Sequence, residues 1–358
     1  MSRSLLAASV LLTAVTMLAA CAPSAPTTPA APPGGTEQPS RAPGSQASRP
    51  PGELRTLQNG YIALQAYYYP LWIASQYGFL ENVGLRAEWT QLGTNESISA
   101  LLGGSVEILA GTTDAAITAI SKGANLKVLA NYHIVTPYDL VGRPEIASVQ
   151  DLRGKKVGAS SLKSGSGTIA RFMLLQHGLR DTDYELTQVG GNTQRYAALQ
   201  SGGISATLLS DPVNFQARLD GFRILQTFAD VLPEYSLNVW MIRGDWADSP
   251  RNQEDLVNFL AAMIRANDWA HRPENKEAVI DIMMKETRSS REIAEQCYDY
   301  YIVRHPNALD FTDLKDAPVQ NVIRLMRELE DEPPNLPAES QWIDRSFARR
   351  AAELARGQ

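Results

Sequence analysis

The sequence predicts an α/β fold of two similar lobes, each with a mostly parallel sheet and flanking helices, completed by a helical C-terminal part. Three observations predict it. Short β-compatible runs alternate with runs of helical period, joined by loops of Gly, Ser, Thr and Asn. The order strand, loop, helix restarts about 98 residues later, and some of the letters restart with it. Beyond the second round the pattern is almost purely helical, and such helices need a surface to cover. A chain of 358 residues has room for two lobes of ordinary size.

Thr56 to Ala63 read as the first strand, and Pro70 at a helix N1 position opens a helix that Gly78 stops after Tyr77. Leu85 to Leu92 form a second strand ending in Gly93-Thr94-Asn95, and Ser97 to Leu102 a short helix closed by Gly103-Gly104. Val106 to Ala110 form a third strand opening into Thr112-Thr113-Asp114, Ala115 to Ser121 the next helix, and Leu126 to Ala130 a fourth strand. In the second round Lys155 to Ala159 deliver the chain into a Ser/Gly turn, Ser160 to Thr168. A helix follows on which Ile169, Phe172, Met173 and Gln176 share a face, with Gly178 as its stop. Leu186 to Val189 form the next strand and Leu237 to Ile242 a last one. Helices are expected around Phe259 to Trp269, Val279 to Met284, Ile293 to Ile302, Val319 to Leu329 and Trp342 to Leu354.

The repeat is read from collinear matches. Leu54-Arg55 with Gly60 answers to Leu152-Arg153 with Gly158, Thr90 to Asn95 to Thr187 to Asn192, and Ala100-Leu101 with Gly104 to Ala198-Leu199 with Gly202. The same spacing sets Thr112-Thr113 opposite Ser210-Asp211.

A formal charge of −6 and a pI of about 5.4 give no basic surface for nucleic acid. Arg3 precedes an apolar run, Leu5 to Ala20, suited to a secretory signal. The run ends in Leu18-Ala19-Ala20-Cys21, which resembles a bacterial lipobox, so residues 1–20 are expected to be a signal peptide and Cys21 a lipidated N-terminus. An ordinary cleaved signal is the alternative. Ala22 to Gly52 carry nine prolines and almost no large apolar residue, the composition of a disordered tether. Cys297 then has no disulfide partner and reads as a core residue.

Catalytic patterns are sparse. His133, His177, His271 and His305 lie far apart, and no metal-binding cluster, zinc-protease motif or nucleophile elbow is present, so neither metal nor cofactor is expected. Gly165, Gly167 and Ala170 spell the dinucleotide fingerprint GxGxxA, but the following strand ends without an acidic residue to hold a ribose. Recognition chemistry gathers instead at the strand ends. Candidate ligand-binding residues are Tyr67, Tyr68, Tyr69, Thr94, Asn95, Thr112, Thr113 and Asp114 in the first round. In the second they are Ser160, Ser161, Ser164, Gly165, Ser166, Gly167, Thr168, Asn192, Ser210 and Asp211. Small hydroxyls, amides and free helix N–H groups suit an anion, and tyrosines suit a flat ring. Core packing is the alternative for the tyrosines.

From about Leu54 to Glu286 the chain resembles the solute-binding proteins of ABC importers for nitrate, sulfonates and taurine, and their relatives for thiamine-pyrimidine precursors. The segments that carry the resemblance are PLWIASQYGFLENVGL, ISALLGGSVEILAGTTDAAITAISKGANLKVLA, SVQDLRGKKVGASSLKSGSGT and LQSGGISATLLSDP. Ser205 replaces the acidic residue usual in the second half-motif, whereas Glu107 keeps one in the first. The resemblance implies a periplasmic binding protein of type II, with lobe 1 in residues 53–139 and 236–358 and lobe 2 in 140–235. It implies a monomer, lipid-anchored in a bacterial envelope, that clamps a small solute between its lobes and delivers it to a permease and, through it, an ATPase. Hinges are expected near Tyr138 to Pro144 and Pro233 to Asn238. An extracytoplasmic ligand sensor, or an enzyme like the pyrimidine synthases, are the alternatives. The latter lacks its cysteine-rich motif here.

Overall fold

The computed structural model describes residues 54–163 and 165–357, leaving aside the side chain of Asn95. The expected signal peptide, Cys21, the tether and Ser164 lie outside the described residues.

The chain opens with β1 (Arg55–Tyr61), α1 (Tyr69–Gln76), β2 (Leu85–Gln91), α2 (Thr94–Leu102), β3 (Ile108–Thr112), α3 (Thr113–Ser121) and β4 (Leu126–His133). A second series follows: β5 (Asp139–Gly142), β6 (Lys156–Ala159), α4 (Ser166–Gln176), β7 (Glu185–Gln188) and α5 (Asn192–Gln200). It continues as β8 (Ala206–Leu209), α6 (Val213–Leu219), β9 (Arg223–Thr227) and α7 (Phe228–Val231), and β10 (Asn238–Arg243) returns to the first sheet. Then come α8 (Pro250–Ala270), α9 (Lys276–Thr287), α10 (Arg291–Tyr298), α11 (Asp316–Glu328) and α12 (Ser346–Arg356).

These strands make two five-stranded sheets of the same order, β2-β1-β3-β10-β4 and β7-β6-β8-β5-β9. In each, four strands share one direction and the fourth in order, β10 or β5, runs against both neighbours. The reversed strand is the one that has just crossed from the other lobe. Chain equivalence follows the 98-residue offset: α2 and α5 start at Thr94 and Asn192. Gly104 and Gly202 both hold the left-handed conformation, with φ of 77° and 80°. A Cβ on either would meet a guanidinium, that of Arg243 at the end of β10 or of Arg143 at the end of β5. Each arginine donates in turn to an acid two residues on, Arg243 Nε to Asp245 at 3.0 Å and Arg143 Nε to Glu145 at 2.6 Å.

The first sheet is covered on one face by α1, α8 and α12, where Leu71, Phe259, Met263, Trp240 and Phe347 interlock. On the other side apolar packing runs on from one lobe to the next. Helix α11 touches both α3 and α4, joining Ile117, Val319, Val322, Phe172 and Met173 in one core. The loop after α11 is tied to α4 by charge as well, because the buried Arg171 pairs with Asp331 and donates to the Leu329 carbonyl at 3.3 Å.

Three sequence readings change. Asp139 to Gly142, expected within a hinge, are β5, so the first crossing is residues 134–138, upstream of the strand. Both β5 and the edge strand β9 were missed because four or five residues with no sustained alternation carry little signal. Helix α12 starts at Ser346 rather than Trp342. Before it, Val128 N donates to the Trp342 carbonyl at 2.8 Å and Asp344 N to the Val128 carbonyl at 2.9 Å, which covers the outer edge of β4. Helix α10 passes after Tyr298 into a π turn, Asp299–Arg304, that directs Tyr301 toward the second lobe.

Candidate ligand-binding cleft

Between the two lobes lies a cavity of about 200 Å³. Ile62, Ala63, Gln65, Gly93, Thr94, Glu96, Thr112 and Leu237 form its first-lobe wall, and Tyr138 of the crossing closes one side. The second-lobe wall is Ser160, Gly165, Ser166, Gln188, Gly190, Gly191, Asn192 and Arg195. It therefore sits beyond the carboxyl ends of β1, β3, β6 and β7, where an open sheet presents its loops.

The second-lobe wall is built around the start of α5. Gly190 takes φ 109°, a backbone that turns the chain from β7 into the helix and that a side chain would strain. Asn192 fastens the turn to the end of β8, its Nδ2 donating to the Ser210 carbonyl at 2.8 Å and its Oδ1 accepting from Ser210 N at 3.2 Å. Arg195 is 2% exposed. It donates to the Leu208 carbonyl at 3.0 Å, the Gly190 carbonyl at 2.7 Å and Asn192 Oδ1 at 3.1 Å. Among the described residues it has no carboxylate partner, and burial pulls its pKa below the usual arginine value against the opposing influence of Tyr138. A buried cation and the free N–H groups of a nine-residue helix thus share one wall.

The turn before α4 was expected to hold the anion of a ligand, and here it holds another. The anion is the protein's own. Gly165 N, at φ 56° in the N-cap position, donates to Asp114 Oδ2 at 2.7 Å, and Ala115 N donates to Oδ1 at 2.8 Å. Burial raises the Asp114 pKa, opposed by these hydrogen bonds and by Thr112 and Thr168. The reciprocal contact runs the other way. Asp211, at the end of β8, accepts from Ala66 N at 2.5 Å and from the Tyr301 hydroxyl at 2.6 Å, both in the first lobe. Burial lifts its pKa to about 6 in spite of these donors. Each lobe therefore sets a carboxylate on the start of a helical segment of the other, Asp114 at α4 and Asp211 at the 3-10 turn Ala66–Tyr68. Gln65 reinforces the contact by donating to the Ser210 hydroxyl.

Of the residues singled out in the sequence, Thr94, Thr112, Ser160, Gly165, Ser166 and Asn192 line the cavity. Tyr67, Tyr68 and Tyr69 do not; each is 0% exposed. Their rings fill the first-lobe core, Tyr67 stacking on His133 at 4.4 Å, and their hydroxyls find internal partners, Tyr67 at Gln65 Oε1 (2.5 Å) and Tyr69 at Asn267 Oδ1 (2.6 Å). His133 is held neutral, its pKa lowered by burial to about 3. Thr113 bonds the Ser236 carbonyl at 2.5 Å and anchors the second crossing. Asp114, Ser210 and Asp211 join the lobes to each other, and Ser161, Gly167 and Thr168 pack behind the α4 turn. A Cβ on Gly167 would collide with the Ser161 carbonyl, so this glycine serves close packing. Ser166 Oγ accepts from Ser160 N at 2.8 Å and meets Ser160 Oγ at 2.9 Å. Sequence reasoning missed Gln65, Glu96, Tyr138, Gln188 and Arg195. Arg195 had a signal: the 98-residue offset sets it opposite Ser97, a cation in one copy where the other has a small hydroxyl. Among the described residues no cluster of His, Cys, Asp and Glu could hold a metal ion.

Two lobes of equal topology, exchanging one strand each and enclosing a polar cavity, are the fold of the periplasmic binding proteins. Residues 51–284 match the model of the NMT1-like family, well over half of the chain, and the protein belongs to that family. Among solved structures, the nitrate-binding protein NrtA from Synechocystis PCC 6803 superposes with a TM-score of 0.71 at 16% identity, over 84% of this chain and 89% of that one. The alkanesulfonate-binding protein SsuA from Xanthomonas axonopodis pv. citri, bound to MOPS, gives 0.66 at 17% identity, over 82% and 100%. The ligand-binding component of an ABC-type import system from Staphylococcus aureus gives 0.69 at 16%, over 83% and 99%. At such identities the likeness concerns the fold. No curated sequence matches the chain.

Proposed function

We propose that the protein is the solute-binding component of an ABC importer, anchored outside the cytoplasm through lipid on Cys21, and that it closes around a small anion and hands it to the permease. One observation carries the ligand chemistry: Arg195, buried without a carboxylate partner beside the open start of α5, in a cavity between two lobes. A cation kept in a low-dielectric wall favours a counter-charge, and the ligand supplies it. Nitrate, alkanesulfonate and short carboxylate fit this chemistry, and the ligands of the structural neighbours, nitrate and a sulfonate buffer, point the same way. Closure works by population shift, since an anion that touches both walls is held only when the lobes meet. The predicted ligand-binding roles of Thr94, Thr112, Ser160, Gly165, Ser166 and Asn192 remain part of this reading.

The test is thermal denaturation of ligand-free protein with nitrate, sulfonates, carboxylates and pyrimidines. A cognate ligand at a hundred times its Kd adds about 2.7 kcal/mol of stability. No response to any anion, with the protein shown by mass spectrometry to be empty, rejects the proposal.

A further inference from the structure

Each of the two crossings between the lobes gives a residue to the cavity wall, Tyr138 from the first and Leu237 from the second. Leu237 is apolar. Tyr138 brings a hydroxyl, and the residue is 8% exposed.

What surrounds that hydroxyl decides where its hydrogen goes. Gln65 from the first lobe and Ser210 from the second hydrogen-bond it, and Arg195 stands beside it. Burial raises the Tyr138 pKa, whereas Arg195, Gln65 and Ser210 lower it. A hydrogen-bonding group that lowers the pKa of an acid acts as a donor, because it holds the charged form. The other contacts of these residues agree. Gln65 Oε1 is engaged by the Tyr67 hydroxyl at 2.5 Å, and the Gln65 amide nitrogen donates to Ser210 Oγ. Asn192 Nδ2 donates to the same Oγ at 3.2 Å. With both lone pairs engaged, the Ser210 hydroxyl has its own hydrogen left to give. Arg195 spends three N–H groups on Leu208, Gly190 and Asn192, keeps others free, and has no lone pair to offer. The Tyr138 oxygen is thus ringed by donors. Neither Ser210 nor Arg195 can take its hydrogen, Gln65 Oε1 is engaged, and the open side is the cavity.

Resting on the reading of Arg195 as the anion anchor, we propose that Tyr138 is a ligand-contacting residue whose hydroxyl donates to the anion that Arg195 attracts. Arg195 supplies charge, and Tyr138 supplies direction. The donor is aligned by a chain that starts in the first-lobe core and runs from Tyr67 through Gln65 and Ser210 to Tyr138, so the ligand ends a run of hydrogen bonds drawn from both lobes. Tyr138 also closes the first crossing, just before β5, which puts one ligand contact on a segment that joins the lobes.

The experiment is calorimetric titration at pH 6 of the full-length protein, shown by mass spectrometry to be empty, with nitrate, methanesulfonate and acetate. The wild type is compared with Y138F and with Tyr138→3-fluorotyrosine. Fluorine makes the phenol a stronger donor at nearly the same shape, and burial keeps it protonated at this pH. For the anion that the wild type binds most tightly, Y138F binds about tenfold or more weakly, and the fluorinated protein at least twofold more tightly. A role in packing alone gives no gain from fluorine. Unchanged affinity in Y138F, or a fluorinated protein no tighter than the wild type, overturns the proposal and leaves the anion site at Arg195 standing; if Y138F does not fold, the fluorinated protein decides alone. No binding of any of the three anions to the wild type overturns the proposal together with the reading of Arg195.

Discussion

Replacing Asp211 by asparagine should stabilise the protein at alkaline pH and not at acid pH. The carboxyl faces Tyr67 from the turn before α1, Tyr138 from the crossing, Cys297 from α10 and Tyr300 and Tyr301 from the π turn, and no cation is among them. Burial lifts its pKa from 3.8 to about 6 in the folded protein. The folded state then holds its proton more firmly than the unfolded one, so the stability this group contributes is full below pH 3.8 and is lost as pH rises through 6. A rise of that size corresponds to about 3 kcal/mol in full, of which about half is recovered on lowering the pH from 8 to 5. The substituted amide is neutral throughout. It can accept from Ala66 N and donate to the Tyr301 oxygen, and whatever it loses in hydrogen-bond quality is the same at both pH values. The informative quantity is therefore the change with pH of the stability difference between wild type and D211N, read from urea unfolding at pH 5, 6, 7 and 8. The difference should move in favour of D211N by about 1.5 kcal/mol between pH 5 and 8. A difference that stays constant across the range would show that the carboxyl titrates as an exposed acid, and would remove the buried interlobe contact from the account.

Three further outcomes follow from other contacts. D114N should retain the fold but speed ligand release, measured by stopped flow, because an amide accepts from Gly165 N more weakly than a carboxylate does; an unchanged rate would mean that this contact does not govern opening. Asp331→Ala leaves the buried Arg171 with one acidic partner, Asp181, and should cost about 3 kcal/mol in chemical denaturation; a loss under 1 kcal/mol would count against the charge tie between α11 and α4. Gly167→Ala should destabilise by about 1–3 kcal/mol, since backbone rather than a flexible side chain opposes the added carbon. Gly123, with open space around it but φ of 90°, is the control for strain alone, and a G167A no worse than G123A would contradict the collision.

Much of the fold was legible because a repeat imposes itself twice. Gly60 with Gly158, Thr94 with Asn192 and Gly104 with Gly202 mark matching places in the two sheets, and local pattern located most strands between them. What pattern cannot express is the exchange of β5 and β10, a choice made by the pairing of edges far apart in sequence. The site was legible by place and not by partner. The Gly165 turn was readable as an anion holder, but nothing local to it says that Asp114, 51 residues earlier, fills it. The tyrosines failed for a related reason: a hydroxyl looks available in a sequence, and Gln65 and Asn267 satisfy Tyr67 and Tyr69 inside the core. Arg195 was overlooked because arginines on helices are mostly solvated, and its burial depends on carbonyls at Gly190 and Leu208 that only the closed turn presents.

The exchange of strands sets an order of assembly on a growing chain. Every strand of the second sheet lies between residues 139 and 227, so that sheet can close as soon as its own segment is available. The first cannot. Its β3 and β4 stay apart until β10, residues 238–243, slides between them, and its covering face waits for α8 and α12. The half that is made first is thus finished last. A nascent chain stopped near residue 230 has every strand of the second sheet and still lacks the one that joins β3 to β4.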